Sequence, residues 1–199
     1  MKLRSLLGKT TLAVAMSASL VMAPAALAQK HIKQNLSQLV NKADSILTGS
    51  VVSVTDGFDN RQRPYTEVTV KVESDVKGKV DHDGLYTFRQ FGLTEPRSMG
   101  NGKVYLGVSP QGFASWTEGE HIIAFMNPEM GGLTSTVGLE QGKFVIQNGK
   151  VINELGNQGL FDDMDTSALT AEQQNLLTTP GAVDAIAFLQ LVDSLAEVK

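Results

Sequence analysis

Pro64-Tyr-Thr-Glu-Val-Thr-Val-Lys-Val-Glu-Ser-Asp-Val76 is the stretch that decides the fold. Val68, Val70 and Val72 alternate with Glu67, Thr69, Lys71 and Glu73, so a strand here has one oily face and one wet face. A wet face is incompatible with the doubly covered strands of a parallel sheet, so the pattern predicts an antiparallel one. Lys77-Gly78-Lys79 ends the run, and Asp81-His82-Asp83-Gly84 turns the chain into a further strand over Leu85–Phe91. On the other side, Ser45–Val54 is β-branched and predicts the preceding strand, with the polar run Thr55–Asn60 as the turn between them.

Working outward, residues 92–119 hold six of the chain's 19 glycines and two of its six prolines and are expected to be a long irregular loop. Loops of that length inside a compact domain are uncommon and often functional. His121–Met126 is an apolar strand, and Leu133–Gly138 is a candidate for another. Lys143–Gln147 and Lys150–Asn153 flank Asn148-Gly149, the strongest short hairpin signal. At the amino-terminal side, Ile32, Leu36, Leu39 and Val40 make one apolar stripe of a helix over 31–42. At the other end, Thr170-Ala-Glu-Gln173 resembles a capping box opening a short helix to about Leu177. Thr179 and Pro180 are expected to open a second helix, with Val183, Ile186, Leu189 and Val192 as its buried face, widened by Phe188, Leu191 and Leu195.

The expected fold is therefore mainly β (α+β): a small closed or partly open antiparallel barrel with a leading helix and carboxy-terminal helices. The first 28 residues stand apart. Lys2, Arg4 and Lys9 precede an apolar run from Leu12 to Ala23, then Pro24 and Ala26-Leu27-Ala28. A basic start, a short apolar middle and small residues at the exit are the parts of a secretory signal, with cleavage expected after Ala28. The run is too short for a membrane span, which needs about 20 apolar residues. The expected organisation is a signal peptide over 1–28, the barrel with its helix over 29–161, and a helical segment over 162–199 packed on the barrel. The destination is periplasmic or secreted, with no membrane insertion once the leader is removed.

Three of the 17 Lys and Arg lie in the leader and none of the 21 Asp and Glu, so the remainder carries a net charge of −7. Such a domain has no counterion-release gain on nucleic acid, and no nucleic-acid partner is expected. The chain has no cysteine. Thiol catalysis, Cys-ligated metals and disulfides are thereby excluded, and a domain of this size needs no such staple.

Residues along the expected barrel resemble a loosely defined group of bacterial exported proteins of unassigned function. The resemblance runs through Ala43-Asp-Ser-Ile-Leu-Thr-Gly49, Tyr65-Thr-Glu-Val-Thr-Val-Lys-Val72, Val76-Lys-Gly78, Phe113, Glu118-Gly-Glu120, Val137-Gly138 and Gln141-Gly-Lys-Phe144, and covers roughly residues 43–155. The barrels of that group are similar to the OB-type fold of netrin-like and TIMP-like (metalloprotease-inhibitor) domains. What the resemblance implies is a fold. TIMP-like inhibition works through a disulfide-tied amino-terminal cysteine, and no residue of this chain corresponds to it.

No chemical motif survives inspection, and no cofactor is implied. Asp163-Met-Asp165-Thr-Ser167 begins like a calcium loop, but Ala168 and Gln174 stand where glycine and a bidentate glutamate are required. Asp81-His82-Asp83 before Gly84 is a hydrophilic turn. His31, His82 and His121 have no metal-ligand spacing. Gly107-Val-Ser109-Pro-Gln111 lacks the last glycine of a nucleophile elbow. The remaining signal is Tyr105, Phe113 and the single tryptophan, Trp116, in the Gly/Pro-rich loop. They either anchor a partner or fold back to cap the barrel, and the second reading is preferred because large aromatics are usually buried. The expected function is a non-catalytic binding or protein-interaction domain for an unknown protein or small ligand. An envelope hydrolase assembled from scattered residues and a structural envelope component are the alternatives.

Overall fold

In the computed structural model, which describes residues 33–197, the alternating valines lie on the strand next to one edge of a seven-stranded antiparallel sheet. Its strands are β1 (Ser45–Phe58), β2 (Pro64–Asp75), β3 (Leu85–Phe91), β6 (His121–Met126), β7 (Lys143–Gln147), β8 (Lys150–Asn153) and β9 (Val183–Asp184). The order is β3-β2-β1-β6-β7-β8-β9. A separate two-stranded ribbon, β4 (Arg97–Ser98) with β5 (Val104–Tyr105), sits in the long loop. The helices are α1 (Leu36–Lys42), α2 (Ala171–Leu177) and α3 (Ala185–Glu197). All pairings in the large sheet are antiparallel.

The sheet is open, with β3 and β9 at its two edges. A closed barrel does not form. Past β6 the chain makes a hairpin over 127–135, and a single bond, Thr134 N–H to Arg89 C=O at 2.8 Å, ties that hairpin back to β3. One rung does not make a ladder, so a seam stays between β3 and the segment leaving the hairpin.

Burial divides the core by strand face. Val68, Val70 and Val72 gather with Leu47, Val51, Phe88, Ile122, Ala124 and Met126 on one side of the sheet. Ile46, Ile123, Phe125, Phe144 and Val151 face the other side, where α1 and α3 cover them through Leu36, Leu39, Phe188, Leu191 and Val192. β6 is buried on both faces, which is why His121–Met126 reads as a continuous apolar run and not as an alternation. Each such side chain removed from water stabilises the fold by roughly 1.5–3 kcal/mol.

Several boundaries differ from expectation, each for a local reason. β1 continues through Thr55–Phe58, because Pro64–Glu67 lie opposite and supply partners. The turn starts at Asp59, whose carboxylate accepts the N–H groups of Arg61 and Arg63. Gly49 sits at a register shift in β1, where a Cβ would lie 2.2 Å from the Lys71 carbonyl oxygen. α1 begins at Leu36 because Asn35 forms a capping box with Gln38. Thr170 and Gln173 do form the capping box of α2, as expected. Thr179 and Pro180 open no helix. Instead Val183 pairs with Val151 as β9, and the Asp184 carboxylate caps α3 by accepting from Ile186 and Ala187 N–H. Of the expected face, Val183, Phe188, Leu191 and Val192 are buried, while Ile186, in the first turn that Asp184 caps, is 70% exposed. The Asn148-Gly149 hairpin forms, with φ of 52° and 71° at its two turn residues. The leader, its cut after Ala28, and His31 lie outside the described residues.

Candidate functional site

The long loop after β3 is ordered by a few specific anchors. Leu93, fully buried, exchanges bonds with Gly107 and Ser109 across the loop. Gly92 (φ 103°) allows this approach, because a Cβ there would lie 2.3 Å from the Ser109 backbone. The Asp56 carboxylate, near the end of β1, holds Thr94 through its N–H (2.9 Å) and Oγ1 (2.7 Å) and pairs with Arg97. Burial alone would raise the Asp56 pKa, but the Thr94 hydrogen bonds and the Arg97 charge outweigh it and leave the carboxyl below its ordinary value. Further on, Ser115 is tied to Glu154 through N–H (2.9 Å) and Oγ (2.6 Å).

The three loop aromatics do not share one surface. Trp116 lies at the rim of the valine-lined core, its ring 5.1 Å from that of Phe88. Its Nε1–H donates to Gln90 Oε1 at 3.3 Å, and the Lys143 ammonium stands 5.3 Å from its ring centre. Tyr105 belongs to the small ribbon and packs edge-on against Phe58 at 5.0 Å. Phe113 alone lines open space on both sides.

Two depressions meet at Phe113. One, of about 440 Å³, has a mixed lining in which Thr66, Gln90, Ser115, Glu140 and Glu154 stand beside Leu93, Val108 and Trp116. The other, of about 420 Å³, is an apolar groove formed by Phe91, Phe113, Pro128, Met130 and Leu133, with Asn127, Thr134 and Ser135 at its edge. The hairpin over 127–135 builds its far wall. Gly131 and Gly132, with φ of 62° and 82°, make its tip, and Thr134 Oγ1 donates to Asn127 C=O at 2.7 Å. Phe91 is 40% exposed and Met130 80% exposed. A third depression, of about 350 Å³, adjoins that tip and contains Phe58, Asp59, Arg61, Arg63, Tyr65 and Arg89. Arg63 Nη2 donates to the Gly131 carbonyl at 2.8 Å, so the groove and the arginine pocket share a wall.

Compared with known protein families, curated proteins and solved structures, the chain matches none.

The residues weighed for catalysis or metal binding fall apart in space. His82 pairs only with its exposed neighbour Asp83 at 3.0 Å, in the turn between β2 and β3. His121 opens β6 and bonds Glu73 at 2.9 Å. Neither lines these depressions. Ser109 is no elbow: its Oγ donates to Phe91 C=O at 3.3 Å and its N–H to Leu93 C=O. Asp165 accepts the Ser167 N–H in a local turn, which holds its pKa below the ordinary value. Among the described residues, no group of three or more His, Asp or Glu side chains is placed to hold a metal ion, and no helix is long and apolar enough to cross a membrane. The lining of the groove suits apolar contact, with backbone and hydroxyl groups at the margin for orientation.

Phe91 and Met130 escaped the sequence reading. Phe91 closes a strand whose interior residues alternate in burial, and Met130 sits between Pro128 and two glycines. Only a turn signal at Gly131-Gly132 marks the hairpin that presents Met130.

Proposed function

We propose that the chain is an exported, non-catalytic binding domain, periplasmic or secreted, whose contact surface is the apolar groove at the end of β3. The scaffold we infer is a partly open OB-type barrel. The long β1 shared by β2 and β6 supports that reading, as does the single rung where β3 meets the Thr134 segment. The contact surface differs from the one the loop aromatics suggested: Phe113 keeps its place in it, Phe91 and Met130 join it, and Trp116 acts as a core lid beside it.

The observation that carries the reading is the exposure of Phe91 and Met130 on the walls of one 420 Å³ groove. Large apolar side chains around a concavity, fixed by a hairpin and a strand, are the usual form of a binding surface. A photo-crosslinking residue placed at Met130 in living cells tests it, with the same residue at Ile186 on α3 as control. A discrete adduct at position 130 and not at 186 supports the reading. Identical patterns at both positions, or adducts at neither, reject it.

A further inference from the structure

Resting on the binding reading just given, the geometry points to the occupant: an extended peptide segment that sets a large apolar side chain into the groove and carboxylates against the adjoining arginines. Two independent features support it.

The first is charge. All four arginines among the described residues (Arg61, Arg63, Arg89 and Arg97) fall at this end of the sheet, in a chain whose acids outnumber its bases. Three are matched one to one within the chain: Arg63 with Asp59 (2.7 Å), Arg89 with Glu67 (2.7 Å), and Arg97 with Asp56. The exposed Arg61 guanidinium has no ion-pair partner among the described residues, so the arginine pocket itself is left with one net positive charge, while the hairpin wall of the groove carries one exposed acid, Glu129. The forks of Arg63 and Arg89 also keep free N–H groups, since one Nη of Arg63 and both Nη of Arg89 remain after these bonds. Planar guanidinium donors match carboxylates in particular.

The second is the edge of β3. Gly92 N–H bonds Pro64 C=O and Val72 N–H bonds Gly84 C=O, which fixes the phase of the β2–β3 ladder. Thr87, Arg89 and Phe91 therefore turn their N–H and C=O groups away from β2. The Arg89 carbonyl is taken by Thr134 and the Phe91 carbonyl by Ser109 Oγ. The N–H groups of Arg89 and Phe91 have no acceptor among the described residues. Arg89 lines the arginine pocket and Phe91 the groove, so these two donors, two residues apart, bridge the charged and apolar halves of the site. Successive carbonyls of an extended peptide match that repeat, whereas a lipid headgroup or free phosphate offers no such row.

The test pans a random dodecamer peptide library on the chain as recovered from cells, then measures the selected peptides by fluorescence anisotropy. The expected consensus pairs a large apolar residue with Asp or Glu. Arg61→Glu is expected to weaken a selected peptide by about fivefold, and raising salt from about 50 to about 300 mM should weaken it in the same direction. Met130→Ser should weaken it at least as much. If Met130→Ser weakens binding but Arg61→Glu changes it less than about twofold, the groove is a binding site and the acidic peptide is the wrong occupant. Binding indifferent to both variants removes the groove reading itself. A basic or uncharged consensus overturns the inference, as does displacement of the peptide by inorganic phosphate or anionic phosphatidylglycerol vesicles, or a homodimer that Met130→Ser dissociates.

Discussion

Replacing Trp116 by alanine separates a core lid from a contact residue, and the structure supplies the magnitude. Deleting a fully buried Trp side chain costs about 3–5 kcal/mol, and Trp116 is half-buried, so lost packing against Phe88 is worth about 2 kcal/mol. The deletion also strands Gln90 Oε1 in a residue only 1% exposed, since Trp116 Nε1–H is its donor. An orphaned buried acceptor adds about 1 kcal/mol. The expected total is about 3 kcal/mol, or a thermal midpoint lowered by roughly 6–12 °C for a domain of this size. Phe113→Ser removes a ring that belongs to neither core cluster and should cost less than about 1 kcal/mol. Because Trp116 is the only tryptophan, unfolding has to be followed by far-UV circular dichroism in urea and not by indole fluorescence. A Trp116→Ala loss below about 1 kcal/mol, or an equal loss for both variants, would refute the assignment of Trp116 to the core.

Two further perturbations probe the supports of the site. Lys143 has a side chain 1% exposed and bonded to Glu120 at 2.6 Å, so Glu120→Ala leaves a buried ammonium unpaired and should cost about 3 kcal/mol, whereas Lys143→Met should cost no more than about 1.5 kcal/mol. Urea titration of both variants checks the order, and the reverse order would mean that desolvation of the ammonium is not the dominant cost. The Asp56 carboxyl titrates below its ordinary 3.8 in the folded chain, because the Thr94 hydrogen bonds and the Arg97 charge outweigh burial. Its contribution is therefore fully present above the unfolded value and is lost as pH falls through the folded one. Asp56→Asn should flatten the acid limb of stability between those two values and speed hydrogen exchange at the Thr94 N–H, and unchanged exchange there would show that Asp56 does not hold the loop.

The parts of this fold that sequence made legible are those governed by a period or a turn chemistry. Alternation at Val68, Val70 and Val72 specified a strand with a wet face, and it lies where expected. Asn148-Gly149 specified a hairpin because few other residues adopt left-handed backbone at two successive positions. The capping box at Thr170 and Gln173 specified a helix start. Misreadings came where a tertiary partner overrode a local cue. Thr179-Pro180 is a sound helix opening in isolation, yet pairing of Val183 with Val151 outweighs it and delays the helix to Ala185. Thr55–Asn60 has turn composition, yet the facing residues of β2 draw four of its positions into the ladder.

The groove was illegible for a different reason. Its walls come from β3, the loop at Phe113 and the hairpin over 127–135, and none of the three is apolar enough alone to announce a surface. What makes Phe91 available is that the ladder runs out beside it: Thr134 supplies one rung at Arg89, and the segment then turns away to pair with β6 at Met126. Had that segment continued along β3, the seam would have closed and further outward N–H groups of β3 would have been consumed. A second full rung would thus exchange a binding edge for a closed barrel. The opening at β3 is the consequence of where that hairpin leaves the sheet, a long-range property that no residue within it declares.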